Sequence, residues 1–393
     1  MKIQIIGAGL AGLSAACALT EAGHQIMLSE AAPQAGGRAR SYFDKQLGCR
    51  IDNGNHLLLS GNKDALRYLR RIGAEHTLTG PDEANFPFHD LKTNRGWTLR
   101  LNHGRIPWWI AAPSRRVPGT RLADYLALKR LLQARPGDLV EPLVGHGPLY
   151  ERLLEPLAIA ALNTMPDIAA AQPLGAVLAE TVERGGFAAL PRWARLGLSE
   201  SFVDPALAWL QQRGAELRFG ERVTHLPPNQ PTILAVPPWV AKELMPELDV
   251  PDAFESICNL HFKTPRGPAE ATFHGVIGGL TEWIFLRETV ISVTISAANR
   301  HAHLGQEAIA AQVWQEVCQV LGQTLKLPPY RVLWEKRATF ACTPAQLAKR
   351  PGPRSPRPLV ALAGDWTDTG LPATIEGAIR SGEAAAKALL SQI

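Results

Sequence analysis

"KIQIIGAGLAGLSAACALTEAGHQIMLSE", residues 2–30, sets a short β-branched strand before a glycine turn, a helix of small residues ended by Gly23, and a second strand ended by Glu30. The pattern reads as a βαβ unit. Its glycines have separate tasks. Gly7 permits the tight turn, Gly9 lets a backbone come close to a pyrophosphate, and Gly12 lets the helix pack on the strand. Leu10 and Ala11, between the second and third glycines, complete the expected cofactor contacts. Glu30 follows Gly12 by 18 residues and is placed for a ribose hydroxyl pair. A dinucleotide is therefore expected, although this turn alone does not separate NAD from FAD.

A second glycine pair follows within a few residues of the ribose acid, in "PQAGGRARSYFD", residues 33–44. Gly36 and Gly37 free backbone amides for close approach, and Arg38 is suited to pairing with a phosphate. Near the other end, "AGDWTDTGLPATIEGAIRSG", residues 363–382, carries a Gly-Asp pair, a Gly-Leu-Pro break and a helix that starts with nothing bulky. Pro372 suits a first helical turn because its missing N–H would have no partner there. The free amides from Pro372 to Glu376 then form a positive helix end that favours an anion.

Composition sets the outer limits. A chain of 393 residues is too long for one ordinary core, and 46% hydrophobic with 20% charged residues are the proportions of a globular enzyme. The net charge of +5, from 41 basic and 36 acidic residues, is too mild for a nucleic-acid partner, and none is expected. Cys17, Cys49, Cys258, Cys318 and Cys342 show no C-x-x-C spacing, which argues against zinc and against a disulfide framework. With no leader pattern and no run of 18 apolar residues, a cytoplasmic protein is expected, peripheral at most on the inner face of the cell membrane.

Taken together, Gly7, Gly9, Gly12, Glu30, Gly37, Arg38 and the closing "AGDWTDTGLPATIEGAIRSG" resemble the flavin-dependent amine oxidase and carotenoid desaturase superfamily. The resemblance implies FAD as cofactor. It also implies that Gly364 and Asp365 return to the N-terminal fold near the ribityl or pyrophosphate chain. The amides near Thr374 and Ile375 would face N1 and C2=O of the flavin, favouring its anionic reduced form. "GAELRFGERVTHL", residues 214–226, reads as strand, turn and strand, with Val223 where the superfamily packs backbone against adenine. The fold expected is α/β, α+β overall: a Rossmann-like FAD-binding domain and a discontinuous substrate domain of mixed sheet and helices, amine-oxidase-like. The expected boundaries are 1–78, 205–243 and 355–393 for the FAD-binding domain, with 79–204 and 244–354 for the substrate-binding domain. "KRPGPRSPRP", residues 349–358, reads as an exposed connection, and no second nucleotide signature supplies a dedicated NAD(P)H site.

On the substrate side, "RGWTLRLNHGRIPWWIAAPSRR", residues 95–116, places Trp97, Trp108 and Trp109 among Arg100, Arg105, Arg115 and Arg116. Such a segment suits a lipid headgroup boundary, and equally a lid packed on the substrate domain. "RIDNGNHLLLSGN", residues 50–62, brings Asn55 and His56 to where the superfamily's chain passes the flavin ring. These and Glu335 are the candidate catalytic residues, against the plainer reading of a satisfied histidine and a solvated strand. Within the superfamily, "RIDNGNHLLLSGN", "LAVPPWVA", "EKRATFACTP" and "LAGDWTDTGLPATIEGAIRSG" look like the hydroxysqualene dehydroxylase family, the squalene-associated FAD-dependent desaturases of hopanoid synthesis. That implies reductive dehydroxylation of a hydrophobic triterpenoid in an apolar tunnel, with an external electron donor or reductase. The alternative on the same fold is an oxidative polyisoprenoid desaturase or amine oxidase.

Overall fold

The computed structural model describes residues 1–264 and 272–393. Its first layer is a five-stranded parallel sheet in the order Glu216–Phe219, Gln25–Glu30, Lys2–Ile6, Thr232–Leu234, Val360–Leu362. Three distant stretches of chain therefore meet in one sheet, and all five strands end on the same edge. The first helix, Leu10–Glu21, is buried on nearly every side because Ile3, Ile5 and Leu28 pack beneath it while the C-terminal helix, Ile375–Leu390, lies against it. A helix enclosed in this way needs small or apolar residues around its whole circumference, which "LAGLSAACAL" supplies.

The second layer is a seven-stranded mixed sheet in the order Tyr330–Phe340, Phe254–Lys263, Val290–Ile295, Trp283–Leu286, Thr272–Ile277, Asn85–Asp90, Arg95–Arg100. Every pairing is antiparallel except Thr272–Ile277 with Asn85–Asp90. The helix Gln306–Leu321 covers it with Ile309, Val313, Trp314 and Val317, a helical-period stripe in which Trp314 meets Phe262 at 4.9 Å between ring centroids. Short helices between residues 126 and 180 build a third apolar cluster around Leu131, Leu154 and Leu174. Among the described residues, no helix is long and apolar enough to cross a membrane.

Three local expectations change. The strand expected after Gly220 does not form. Glu216–Phe219 pairs with Gln25–Glu30, the chain turns at Gly220 with φ +71°, and Val223 lies half-buried in irregular backbone. It stays near the end of the second strand because Gly220 N and Glu221 N donate to Ala32 O and Glu30 O at 3.0 and 2.9 Å. Pro372 precedes the C-terminal helix instead of lying in its first turn. Thr374 is the N-cap, its hydroxyl accepting from Gly377 N at 3.0 Å. The 349–358 connection is not wholly exposed, because Arg350 is buried.

Candidate active site

The loops that leave the parallel sheet at its carboxyl edge build the site from the glycine turn outward. A Cβ on Gly12 would lie 1.9 Å from Gly7 O, and one on Gly7 would lie 2.2 Å from Ala235 O, so both positions are closed to larger residues. Gly9 differs, since nothing lies within 4 Å of where its Cβ would be. The first helix has no side-chain cap, and its first intrahelical donor is Leu13 N, to Gly9 O. The amides of Leu10, Ala11 and Gly12 therefore have no acceptor among the described residues. An open glycine before such a helix end is a cradle for a pyrophosphate, and the residues present fit FAD. Gly36 pairs with this turn through Gly36 N to Ala8 O at 2.8 Å, and Gly37, at φ +56°, sits against Gly9 Cα. Glu30 ends the second strand with its carboxylate accepting from Ala8 N and Ala32 N, both at 2.8 Å. Each oxygen keeps acceptor capacity for a ribose hydroxyl.

The two glycine motifs and the chain's closing segment meet through Arg38. Its guanidinium donates to Asp365 Oδ1 at 2.7 Å and to the carbonyl of Ala338, so it joins residues from three distant stretches. Arg38, read from sequence as a phosphate partner, also fixes Asp365. Arg350, missed by the sequence reading, clamps the same segment from behind. Buried beneath Phe340, it donates to the carbonyls of Asp365, Trp366 and Thr367 and to Thr369 Oγ1. Its position in a Pro-rich stretch concealed that role. Gly364 is held by Gly364 N donating to Ser381 Oγ at 2.9 Å. At the C-terminal helix, the Ile375 and Glu376 amides have no acceptor among the described residues. Glu376 turns its carboxylate away to accept from Asp64 N and Ala65 N at 3.0 and 2.8 Å, with Arg380 at 3.1 Å. Its oxygens thus cap the start of the helix Lys63–Arg71, and burial pushes its pKa up to about 7.

Asn53 to His56 form a polar loop tied to the large sheet. Asn259 Nδ2 donates to Asn53 O at 3.2 Å, and Thr294 links Asn259 to Asn55. Asn55 Oδ1 is buried without a partner among the described residues. His56 Nδ1 lies 3.1 Å from Gly54 O, which fixes the neutral tautomer with hydrogen on Nδ1 and leaves Nε2 as an acceptor. Burial lowers its pKa from the ordinary value, opposed by the Gly54 carbonyl. Glu335 joins this loop, accepting from Asn53 Nδ2 at 3.3 Å on the strand that also presents Ala338 to Arg38. Leu57 then packs on an aromatic wall of Trp193, Phe273 and Phe285, backed by Phe86 and Trp283. Two recesses, about 500 Å³ beside His24 and Trp209 and about 270 Å³ beside Leu248 and Pro356, lie away from this loop and belong to the outer surface.

Behind the loop, His261 is buried at 1% exposure with Nδ1 2.8 Å from Ser292 Oγ and Nε2 without a partner among the described residues. Burial pushes its pKa down to about 4, and Arg287 acts in the same direction against Asp52 and Asp44. The unfolded histidine takes a proton near 6.5, whereas the folded one resists protonation until about 4. The contribution of His261 to stability is therefore complete above pH 6.5 and is lost as pH drops toward 4, by about 3 kcal/mol in all. Urea unfolding at pH 7 and pH 4 should reveal this loss in the wild type and a smaller one in His261→Leu. Equal acid sensitivity in both would refute it.

The model for "Flavin containing amine oxidoreductase" matches residues 10–228 and 232–390. The chain is 46% identical over 410 residues to the hydroxysqualene dehydroxylase of Rhodopseudomonas palustris, covering 99% of this chain and 98% of that one. It is 44% identical over 411 residues to that of Sinorhizobium fredii, covering 100% and 99%. Cyclohexylamine oxidase from Brevibacterium oxydans shares the fold, with a TM-score of 0.69 at 15% identity over 99% of this chain and 98% of that one.

Proposed function

The chain belongs to the flavin containing amine oxidoreductase family, and from that premise we propose that it carries out FAD-dependent reductive dehydroxylation of hydroxysqualene to squalene. The observation that carries this reading is the 46% identity to a hydroxysqualene dehydroxylase over nearly the whole of both chains. Bound at this site and reduced, FAD supplies a hydride equivalent. The balance of the reaction is simple: the C–O bond breaks, hydride forms a C–H bond on the same carbon skeleton, and the hydroxyl leaves with one proton as water. The reducing equivalents come from an external donor or reductase.

The chain's own residues have three tasks. Glu30, the Leu10 to Gly12 amides and the Gly36–Arg38 turn would hold the cofactor, with Asp365 fixed by Arg38 and the Thr374–Ile375 helix end offering positive potential. The aromatic cluster of Trp193, Phe273 and Phe285 packs beside Leu57 at the end of the Asn53–His56 loop, and aromatic faces next to an allylic carbon would stabilise positive charge developing there. Hydroxide leaves poorly, so a proton must reach the oxygen. His56 accepts the substrate hydroxyl at Nε2 when neutral and donates from Nε2 once protonated. Asn55 Oδ1 holds the hydroxyl's orientation, and Glu335 places an acidic group beside Asn53.

Anaerobic, dithionite-reduced protein mixed with hydroxysqualene in detergent should regain its oxidised flavin spectrum with stoichiometric squalene, while NADPH alone gives none. His56→Ala should keep its flavin and turn over about a hundredfold more slowly. Because burial holds the His56 pKa below its ordinary value, wild-type turnover should rise on acidification below pH 6.5, a limb that His56→Ala lacks. Bleaching of the oxidised flavin by a polyene or an amine, with no reoxidation by hydroxysqualene, would overturn the reading in favour of an oxidase or desaturase.

A further inference from the structure

The segment 95–116 does not present its three tryptophans alike. Trp97, half-buried against the core, stacks on Phe88 at 4.6 Å, and Trp109 is buried edge-on against Tyr125 at 5.3 Å. Trp108 alone faces out, 53% exposed, with the Arg115 guanidinium 4.7 Å over its ring. Beside it, Ile106 is 80% exposed.

Tertiary packing adds apolar groups that the linear segment does not contain. Trp109 brings in the turn carrying Leu122 and Leu126, which are 56% and 55% exposed and spaced to share one face. His103 brings in Phe187, 48% exposed, through a ring separation of 5.9 Å and a bond from Phe187 N to His103 O. Asn102 braces the loop by donating to Gly104 O and Ile106 O at 2.9 Å and accepting from Trp109 N at 3.2 Å. Three segments are thus fixed together with large apolar side chains left in solvent, which costs free energy unless something covers them.

Charge identifies the cover. Between residues 100 and 130 stand Arg100, Arg105, Arg115, Arg116, Arg121, Lys129 and Arg130 against the single acid Asp124. This excess of six exceeds the net +5 of the whole chain, so its positive charge is concentrated here. Asp124 itself is engaged at the backbone, accepting from Arg121 N at 2.7 Å. Apolar tips within a cationic rim match the acyl boundary and headgroups of an anionic bilayer.

We propose that Ile106, Trp108, Leu122, Leu126 and Phe187 form a discontinuous lipid-docking surface that seats the protein on an anionic membrane. The same chain runs in eleven residues from Trp97, which stacks on Phe88 beside Trp283, to Trp108, so one continuous stretch connects the docking surface to the aromatic side chains that would receive an apolar substrate. The docking rests on the proposed function only for that purpose; lipid binding is measured without turnover.

The test is sedimentation of the full-length protein with vesicles of phosphatidylcholine alone and of phosphatidylcholine with phosphatidylglycerol. Binding is expected to the anionic vesicles, to weaken in high salt, and to drop about tenfold in Leu126→Ser and further in Ile106→Ser/Leu126→Ser. These exposed positions leave the melting temperature and the turnover of detergent-dispersed hydroxysqualene unchanged. Equal binding by wild type and double variant overturns the proposal. So does the absence of binding, or self-association in solution that the double variant abolishes, which would give the patch to a second copy of the chain.

Discussion

Gly382→Val is expected to leave little folded protein and to lower flavin content in what survives. Gly382 lies where the C-terminal helix crosses the first helix. A Cβ there would sit 2.3 Å from Ala11 O, 2.8 Å from Ser14 Cβ and 2.9 Å from Ala15 N. Two of those three atoms are backbone, so no rotamer change relieves the contact and the helices must separate. Separation also breaks the bond from Ser14 Oγ to Ile379 O, and it shifts Ser381, which holds Gly364. Ordinary overpacking costs about 1–3 kcal/mol; with two helices displaced, about 4 kcal/mol or more is expected. That is a large share of a typical stability of about 5–15 kcal/mol. Gly382→Ala sharpens the test. In an unobstructed helix that change stabilises by about 1 kcal/mol, so a fall in melting temperature has the opposite sign from propensity. Circular-dichroism melting and the ratio of flavin to protein absorbance measure both effects. Wild-type values in Gly382→Val would refute the close crossing.

Arg287→Leu has the second large effect. The Asp52 side chain is 1% exposed, with Oδ1 accepting from Ser41 Oγ at 2.6 Å and Leu198 N at 2.9 Å while Oδ2 faces Arg287 Nη2 at 2.9 Å as an ion pair. Removing the arginine leaves a buried carboxylate without its counter-ion, which costs about 3–5 kcal/mol. The Asn53–His56 loop begins at the next residue, so turnover should fall with stability. Asp52→Asn/Arg287→Leu should recover most of the loss, because a neutral amide needs no counter-ion and can still accept from Ser41 and Leu198. Denaturation of the wild type, both single variants and the double variant forms the cycle that measures this coupling. Additive losses would show that the pair does not act as one unit.

Much of the nucleotide-binding half is legible in the sequence because its constraints are local. Gly7, Gly9 and Gly12 sit in a single turn, and Glu30 ends the strand that follows the helix, so spacing alone places them. Other features resist sequence reading because each depends on a distant partner. Arg350 looks like part of an exposed proline-rich connection until the carbonyls of residues 365–367 close around it. Glu376 looks like a first-turn acid at its own helix, yet its acceptors' donors belong to the start of another. The segment around Trp97, Trp108 and Trp109 suggests three equivalent rings, and packing separates one from the other two.

The sequence by itself determined the βαβ unit and its open glycine turn, since backbone freedom at glycine, helix ends and strand patterning act within a few residues, whereas the family followed from resemblance along the whole chain. Only the tertiary structure decided that Arg38 fixes Asp365, that Asn53 to His56 hang from the large sheet, and which apolar side chains reach solvent. Those contacts join positions as many as 327 residues apart, and their energies depend on distance in space, which no local pattern encodes.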